Sequence, residues 1–406
     1  MIQSIHIKNF KSVVDLRLEL GSFNVLVGEN GCGKSNILEG IAFAAAAAAD
    51  KLGYEFLGSR GIRLTRPEFM RSAFVEQSEK KTIDIEVVEN EQIEKFSLNN
   101  NPENPEIWID LLGRELNIKL FNALYFGNED QLSEEVLKDE NYITLKEFYG
   151  STKIKYDPQN IQEAIIRLGK VVLRDIDEML NKNGIKNSCL PDFILYAPEE
   201  TSLRSFEDTT QMYPLGIRGA GLFQYLKKLA LDKKHAKIFN QIKKNLTILD
   251  WFEDVKIPRN LMSNEFSLNV RDRYLNRKLN YFDQKSANEG FLYLLFYFTL
   301  FASPATPTFF AIDNIDTSLN PKLCVELIKK LVILSKKQGK QVIVTTHNPA
   351  ILDGLNLKDE QQRLFVVRRN EDGHTKASRI EYNPKRTMKL SEIWTNGFIG
   401  GLPNNF

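Results

Sequence analysis

Phe23-Asn24-Val25-Leu26-Val27-Gly28-Glu29-Asn30-Gly31-Cys32-Gly33-Lys34-Ser35-Asn36-Ile37-Leu38-Glu39-Gly40-Ile41-Ala42 is the stretch that decides the fold. Gly28 to Ser35 fits the pattern G-x-x-x-x-G-K-[ST] without a mismatch. Phe23 to Val27 is a short apolar run of the kind a buried strand carries, and the residues after Ser35 read as a helix start. A strand, a glycine-rich turn and a helix N-terminus together form a phosphate cradle, because the glycines let backbone N–H groups turn inward. In such a cradle Lys34 is expected to reach the β- and γ-phosphates of ATP and Ser35 to hold Mg²⁺. Asn30, Gly31, Gly33 and Asn36 complete the expected nucleotide-binding set. The bland alternative is a glycine turn that happens to carry Lys-Ser, and the flanking strand and helix weigh against it.

The rest of the composition is permissive. At 406 residues the chain is long enough for two domains, or for one domain with a large insertion. A formal net charge of +1 gives no global field that announces nucleic acid or membrane, so any nucleic-acid surface must be a local patch. The three cysteines, Cys32, Cys189 and Cys324, form no C-x-x-C pair, and an odd count fits a reducing cytoplasm better than a disulfide framework. Four scattered histidines argue against a zinc site. Met1-Ile2-Gln3-Ser4 leads straight into a strand, so no signal peptide is expected. The alanine run Ala44 to Ala49 is too short to span a bilayer and reads as the end of the helix after the phosphate loop.

Ile2 to Ile7 and Val14 to Leu20 alternate like half-buried strands around a turn at Asn9–Ser12, and Ile83 to Val87 is a further strand. An arginine-rich loop runs from Arg60 to Arg71. From about Asn90 the pattern weakens, with loop signals at Asn99–Pro105 and acidic residues at Glu129, Asp130, Glu134 and Glu135. Apolar residues at helical spacing predict an amphipathic helix from Gln159 to Asn183. The division expected is therefore an N-terminal part of the nucleotide domain over 1–89, a partly helical insertion over 90–188, and the rest of the domain over 189–406. Strands are expected at Asp192–Tyr196, Trp251–Ile257 and Phe266–Arg271, and a helix at Leu222–Leu231.

The second half supplies further pieces of a nucleotide machine. Thr308 to Ile312 is a buried strand ending in Asp313, where a Mg²⁺-ordering aspartate belongs. Val342 to Thr346 is a parallel strand ending in His347, whose ring can feel a γ-phosphate. Ser286-Ala287-Asn288-Glu289-Gly290 precedes the apolar helix Phe291–Phe301, and small polar groups before a helix N-terminus can bind an anion. Taken singly, Asp313 could be a strand-end cap, His347 a turn histidine and Ser286–Gly290 a helix cap; their order after a perfect phosphate loop is what gives them weight.

With these motifs the chain resembles the RecF/SMC-type branch of the ABC ATPases, in the subgroup of small AAA-class ATPases related to the ATPase half of OLD-family nucleases. The resemblance rests on the opening Ile5-His6-Ile7-Lys8-Asn9-Phe10-Lys11-Ser12, the Gly28–Ser35 loop, the Ser286–Gly290 signature, Ile312–Pro321 and Thr346-His347-Asn348-Pro349. It covers 1–85 and 190–370 and says little about 90–188. It implies an α/β fold: a P-loop ABC-type ATPase head with a mixed central sheet, an antiparallel β subdomain and a mainly helical insertion. It also implies two heads that sandwich two ATP molecules, each held by one head's phosphate loop and the other's signature.

Two positions depart from the family pattern. A glutamate usually follows the Walker B aspartate as the base that activates water; here Asn314 stands there, and an amide can orient a water but cannot take its proton. The signature usually reads Ser-Gly-Gly or Ser-Asp-Gly; here Ser286 or Asn288 is the candidate γ-phosphate contact, with Gly290 as the helix-start glycine. The expectation is slow hydrolysis, with Asn314 and His347 orienting the water. Asp316, past the strand end where a side chain can turn away from the phosphate, is the alternative base.

Two lysine clusters, Lys227/Lys228/Lys233/Lys234/Lys237 and Lys329/Lys330/Lys336/Lys337/Lys340, read either as solvated helix faces or as DNA contacts. The functional readings are a cytoplasmic ATPase dimer that senses or clamps DNA or a partner, in phage defence with a separately encoded nuclease or toxin or in DNA maintenance, and a non-hydrolysing scaffold that uses ATP as structural glue. No nuclease motif is visible. The tail Ser391 to Phe406 is aromatic and glycine-rich, either a strap on the core or a docking segment.

Overall fold

The computed structural model describes residues 1–74, 82–101, 104, 106–113, 130, 188–205, 214–232, 234–258, 267–276, 278 and 281–402. Three strands open the chain: β1 (Ile2–Phe10), β2 (Val13–Glu19) and β3 (Phe23–Val27). β1 and β2 pair antiparallel across Lys11 and Ser12, and β4 (Ile83–Glu89), β5 (Gln92–Asn100) and β6 (Trp108–Asp110) extend them into a sheet of order β2-β1-β4-β5-β6. β3 instead enters a second sheet with β7 (Ile194–Tyr196), β10 (Phe309–Ile312), β11 (Gln341–Thr346), β12 (Gln362–Arg369) and β13 (Thr375–Ile380). Its order is β13-β12-β3-β11-β10-β7, parallel throughout except for β13. β8 (Phe252–Lys256) and β9 (Asn269–Asp272) form a separate antiparallel pair.

The central strands are apolar on both faces because both faces are covered. Phe23, Val25 and Val27 of β3 join one core, and Leu26 joins the other; Val344 and Ile343 of β11 divide in the same way. The second core lies between the two sheets and holds helix α1 (Lys34–Ala48). This explains the alanine run: Ala44, Ala45 and Ala46 are fully buried, and small side chains let two sheets close on one helix. At Gly40 a Cβ would come within 2.9 Å of the Ile7 side chain on β1. The first core is covered by α2 (Leu222–Leu231), α3 (Ala236–Leu246), α4 (Glu289–Ala302) and α5 (Pro321–Gln338). α4 is buried from Phe291 to Ala302, as a helix apolar all round must be. Burial of each large side chain there contributes about 1.5–3 kcal/mol.

Gln341 ties the sheets together. Its side-chain oxygen accepts from the Ile2 amide at 2.9 Å, and its amide nitrogen donates to the Ile2 and Gly21 carbonyls at 2.7 and 2.9 Å.

The antiparallel sheet does not end at residue 89. Asn90 and Glu91 have φ of 50° and 69°, the left-handed pair of a two-residue hairpin turn, and the chain returns at once as β5. The boundary expected at 89/90 therefore falls inside a tight turn, and the sheet runs on to Asp110. The helix expected over 159–183, and the acidic residues near 130 apart from Asp130, lie outside the described residues. Among the described residues no helix is long and apolar enough to cross a membrane.

Candidate nucleotide-binding site

The loop between β3 and α1 is shaped by close approaches that exclude side chains. A Cβ at Gly28 would fall 2.2 Å from the Val367 carbonyl oxygen, and one at Gly33 would fall 2.0 Å from Thr375 Oγ1. Gly33 also has φ of 104°, a conformation that L side chains rarely adopt. Gly31 is left-handed too, and Asn30 is exposed at the crown of the loop. Lys34 is buried; its Nζ donates to the Gly28 and Glu29 carbonyls, both at 2.9 Å, and lies 3.5 Å from His347 Nδ1. Burial lowers the Lys34 pKa, while Cys32, Asp313 and Asp316 pull it the other way. A ring nitrogen facing an ammonium is the unprotonated one, and burial together with the Lys34 charge lowers the His347 pKa. His347 is therefore neutral at pH 7.

Ser35 and Asp313 meet at the C-terminal end of the parallel strands. Ser35 Oγ donates to Asp313 Oδ2 at 2.8 Å, and the other Asp313 oxygen accepts from Thr345 Oγ1. The Asp313 amide donates to the Tyr196 carbonyl at 2.8 Å, which fixes the strand end. Mg²⁺ takes oxygen ligands at about 2.0–2.1 Å in an octahedron, which sets neighbouring ligands about 2.9 Å apart. The hydroxyl and carboxylate of this pair fit that ion in type and in spacing, and Ser35 and Asp313 are the residues that would hold it.

The residues after Asp313 divide in an unexpected way. Asn314 has φ of 53° and its side chain is exposed, with no hydrogen bond among the described residues; its amide donates to Thr345 Oγ1 at 2.9 Å. Asp316 does not turn out to solvent. It is half-buried, accepts from Thr346 Oγ1 at 2.7 Å, and its charge acts on Lys34 and His347.

The signature residues lie elsewhere. Ser286 closes a short 3-10 turn, Gln284–Ser286, and its hydroxyl donates to Asp283 Oδ1 at 3.0 Å. Asn288 caps α4 by accepting from the Phe291 amide at 2.9 Å. A Cβ at Gly290 would meet the Ser318 carbonyl at 3.1 Å, so α4 starts against the segment that follows Asp316. Asn288, Glu289, Gly290, Ser318 and Asn320 line a cavity of about 870 Å³ that contains no residue of the Gly28–Ser35 loop. Within one chain the phosphate loop and the signature therefore do not share a site.

Several supporting residues carry no motif. Asn36, expected at the nucleotide, donates to Ser12 Oγ at 2.7 Å; Ser12 meets Thr375 Oγ1 at 2.7 Å, and Thr375 donates to the Cys32 carbonyl at 3.0 Å. This chain of hydroxyls braces the loop from the β1–β2 turn, and no local sequence pattern announces it. Glu39, buried in α1, pairs with Lys11 and Arg63. Arg369 Nε donates to the Gly31 carbonyl at 2.9 Å. Arg204 donates to the carbonyls of Gln284, Lys285 and Ala287 at 3.2, 2.7 and 2.9 Å and so laces the approach to the signature. As far as residue 402 the tail packs as a strap: Trp394 is buried, and a Cβ at Gly401 would come within 2.5 Å of Val366 and 3.7 Å of Gly28 Cα.

A strand–loop–helix cradle with a buried lysine, a Ser–Asp pair and an adjacent histidine defines a P-loop nucleotide-binding protein. The family model described as "AAA domain, putative AbiEii toxin, Type IV TA system" matches residues 23–163 and 173–353, more than half of the chain. The chain belongs to that AAA-domain family. No curated protein matches the sequence. Similar solved structures include an SMC head bound to the C-winged helix domain of ScpA, 14% identical with a TM-score of 0.49, covering 94% of this chain and 98% of that one. The SMC head domain from Thermotoga maritima is 14% identical with a TM-score of 0.45 and coverages of 94% and 99%. The SMC head domain with a coiled coil and joint from Pyrococcus yayanosii is 14% identical with a TM-score of 0.47 and coverages of 98% and 99%.

Proposed function

We propose that the chain binds Mg·ATP, dimerises around it and hydrolyses it slowly, and that the ATP-bound pair senses or clamps DNA or a partner. The observation that carries this reading is the 2.8 Å contact of Ser35 with Asp313 beside the buried Lys34. Mg²⁺ would there offset charge on the β- and γ-phosphates. Asn30, Gly31, Gly33 and Lys34 would cradle the phosphates, and neutral His347 would orient a γ-phosphate oxygen. The separation of the signature cavity from the phosphate loop supports completion of each site by a second copy, through Asn288 and Gly290, with Ser286 as the neighbouring candidate. A scaffold that binds ATP without turning it over is the second reading, favoured by the amide at position 314.

Light scattering with a slowly hydrolysed ATP analogue tests the pairing. The expected result is a monomer that becomes a dimer with nucleotide, and an Asn288→Arg chain that binds the analogue but stays monomeric. A nucleotide-independent monomer that still turns over ATP would contradict it.

The role in antiphage defence or DNA maintenance, in the cytoplasm and with a separately encoded effector, belongs to the same proposal. Lys228, Lys234, Lys237, Lys336 and Lys337 are exposed, and Lys337 reaches Gln241 of α3 at 3.4 Å, so the two basic clusters adjoin. Lys233 lies outside the described residues. Lys340 leaves the second cluster: it is buried and donates to Thr306 Oγ1 at 2.6 Å. DNA affinity, measured by fluorescence anisotropy, is expected to fall steeply with salt, because each neutralised phosphate releases counterions. Binding that persists unchanged after the Lys227/Lys228/Lys234/Lys237 charges are removed would place the surface elsewhere.

A further inference from the structure

We propose that Asp316 is the general base of this ATPase, taking the role that position 314 cannot fill. The inference rests on the ATPase reading above and follows from which carboxylate oxygens are already engaged. Both oxygens of Asp313 are held, one by Ser35 and one by Thr345, and Asp313 and Ser35 are the residues that would hold the cation. Asn314 offers only an amide, on an exposed side chain with no partner among the described residues. Glu289, the nearest acid of the signature, accepts from Ser318 Oγ at 2.6 Å and belongs to the other cavity.

Asp316 differs from all three. One of its oxygens is fixed by Thr346 Oγ1 at 2.7 Å, and the other makes no hydrogen bond among the described residues. Thr346 is the last residue of β11, directly before His347, and His347 Nδ1 lies 3.5 Å from Lys34 Nζ. The carboxylate is thus anchored to the strand end that carries His347, the residue proposed above to meet the γ-phosphate. It is half-buried, and its charge acts on the buried Cys324 thiol and on the fully buried Tyr297 hydroxyl, which has no hydrogen-bond partner among the described residues. Tyr297 stands on α4, the helix that begins at the signature, so the Asp316 charge acts both on Lys34 of the phosphate loop and on the signature helix.

In the step assigned to it, the oxygen of a water attacks the γ-phosphorus while the bond from that phosphorus to the bridging oxygen breaks. The electron pair of the broken bond leaves with ADP. The proton of the water passes to the free oxygen of Asp316 and from there to solvent, leaving inorganic phosphate.

ATP turnover and ATP binding are measured on the full chain for wild type, Asp316→Asn, Asp316→Glu and Asp316→Gln. Asparagine keeps an acceptor for Thr346, so Asp316→Asn is expected to bind ATP within about twofold of wild type and to lose turnover by about 10²–10⁴-fold. Glutamate and glutamine have the same size, so a merely structural role would move Asp316→Glu and Asp316→Gln equally. The expected result is measurable turnover in Asp316→Glu and none above the Asp316→Asn level in Asp316→Gln. Equal rates in that pair, turnover in Asp316→Asn at the wild-type level, or ATP binding by wild type without any turnover would each overturn the assignment. A wild-type chain that binds no ATP would instead sink the ATPase reading itself.

Discussion

Lys34→Ala is expected to weaken ATP binding by about two to three orders of magnitude and to leave the fold intact. A hydrogen bond to a charged group is worth about 1.5–3 kcal/mol. An ammonium that turns from the Gly28 and Glu29 carbonyls to two phosphate oxygens therefore supplies about 3–4 kcal/mol, at about 1.4 kcal/mol per decade of affinity. The fold tolerates the change because Lys34 bonds only within its own loop and across to His347, and burial already disfavours its charge. Titration with a fluorescent ATP analogue, alongside a thermal melt, checks both halves. Equal affinity in the two chains would remove Lys34 from the site.

Glu39→Ala is expected to cost about 3–5 kcal/mol of stability, the usual result of breaking a buried ion pair from one side. Glu39 is 1% exposed, and the Lys11 side chain that binds it is 12% exposed. The Arg63 side chain is 66% exposed and contributes little, since solvent screens it. Without Glu39 the Lys11 ammonium keeps the Arg63 carbonyl, at 3.1 Å, and the face of the Phe10 ring, 5.4 Å from its centroid, but no counter-charge among the described residues. Burial already lowers the Lys11 pKa, and Glu39 is the charge that opposes this. In the variant the folded pKa falls further below the unfolded value. Lys11 then costs most below its folded pKa, and the cost is relieved as pH rises toward the unfolded pKa. Denaturant unfolding at pH 7 and pH 10 should show a deficit that shrinks at the higher pH. A deficit that is absent, or that grows with pH, would show that the pair does not brace α1.

What the sequence made legible was local. The β3–loop–α1 unit could be read because each requirement falls within twenty consecutive residues: an apolar strand, glycines where backbone and Thr375 crowd the turn, and a helix that must begin at Lys34. Asp313 and His347 could be read because they follow apolar runs that can only be central strands. β5 was hidden because its hairpin turn is Asn90-Glu91 rather than Asn-Gly, and because only Phe96 and Leu98 of the strand are buried. The direction of Asp316 depends on Thr346, thirty residues away, and no spacing rule reaches that far. Lys340 misled for a related reason. Its neighbours Lys336 and Lys337 are solvated, but its own chain runs inward to Thr306 and Pro307, where burial lowers its pKa to about 7. The hydroxyl relay from Asn36 through Ser12 and Thr375 joins three distant segments and was invisible for the same reason.

Calorimetric titration of the full wild-type chain with ATP, in the presence and in the absence of Mg²⁺, tests the Mg·ATP site most directly. The Ser35–Asp313 pair predicts one ATP per chain, bound much more tightly with Mg²⁺ than without it. Binding that ignores Mg²⁺, or no heat of binding at all, would contradict it.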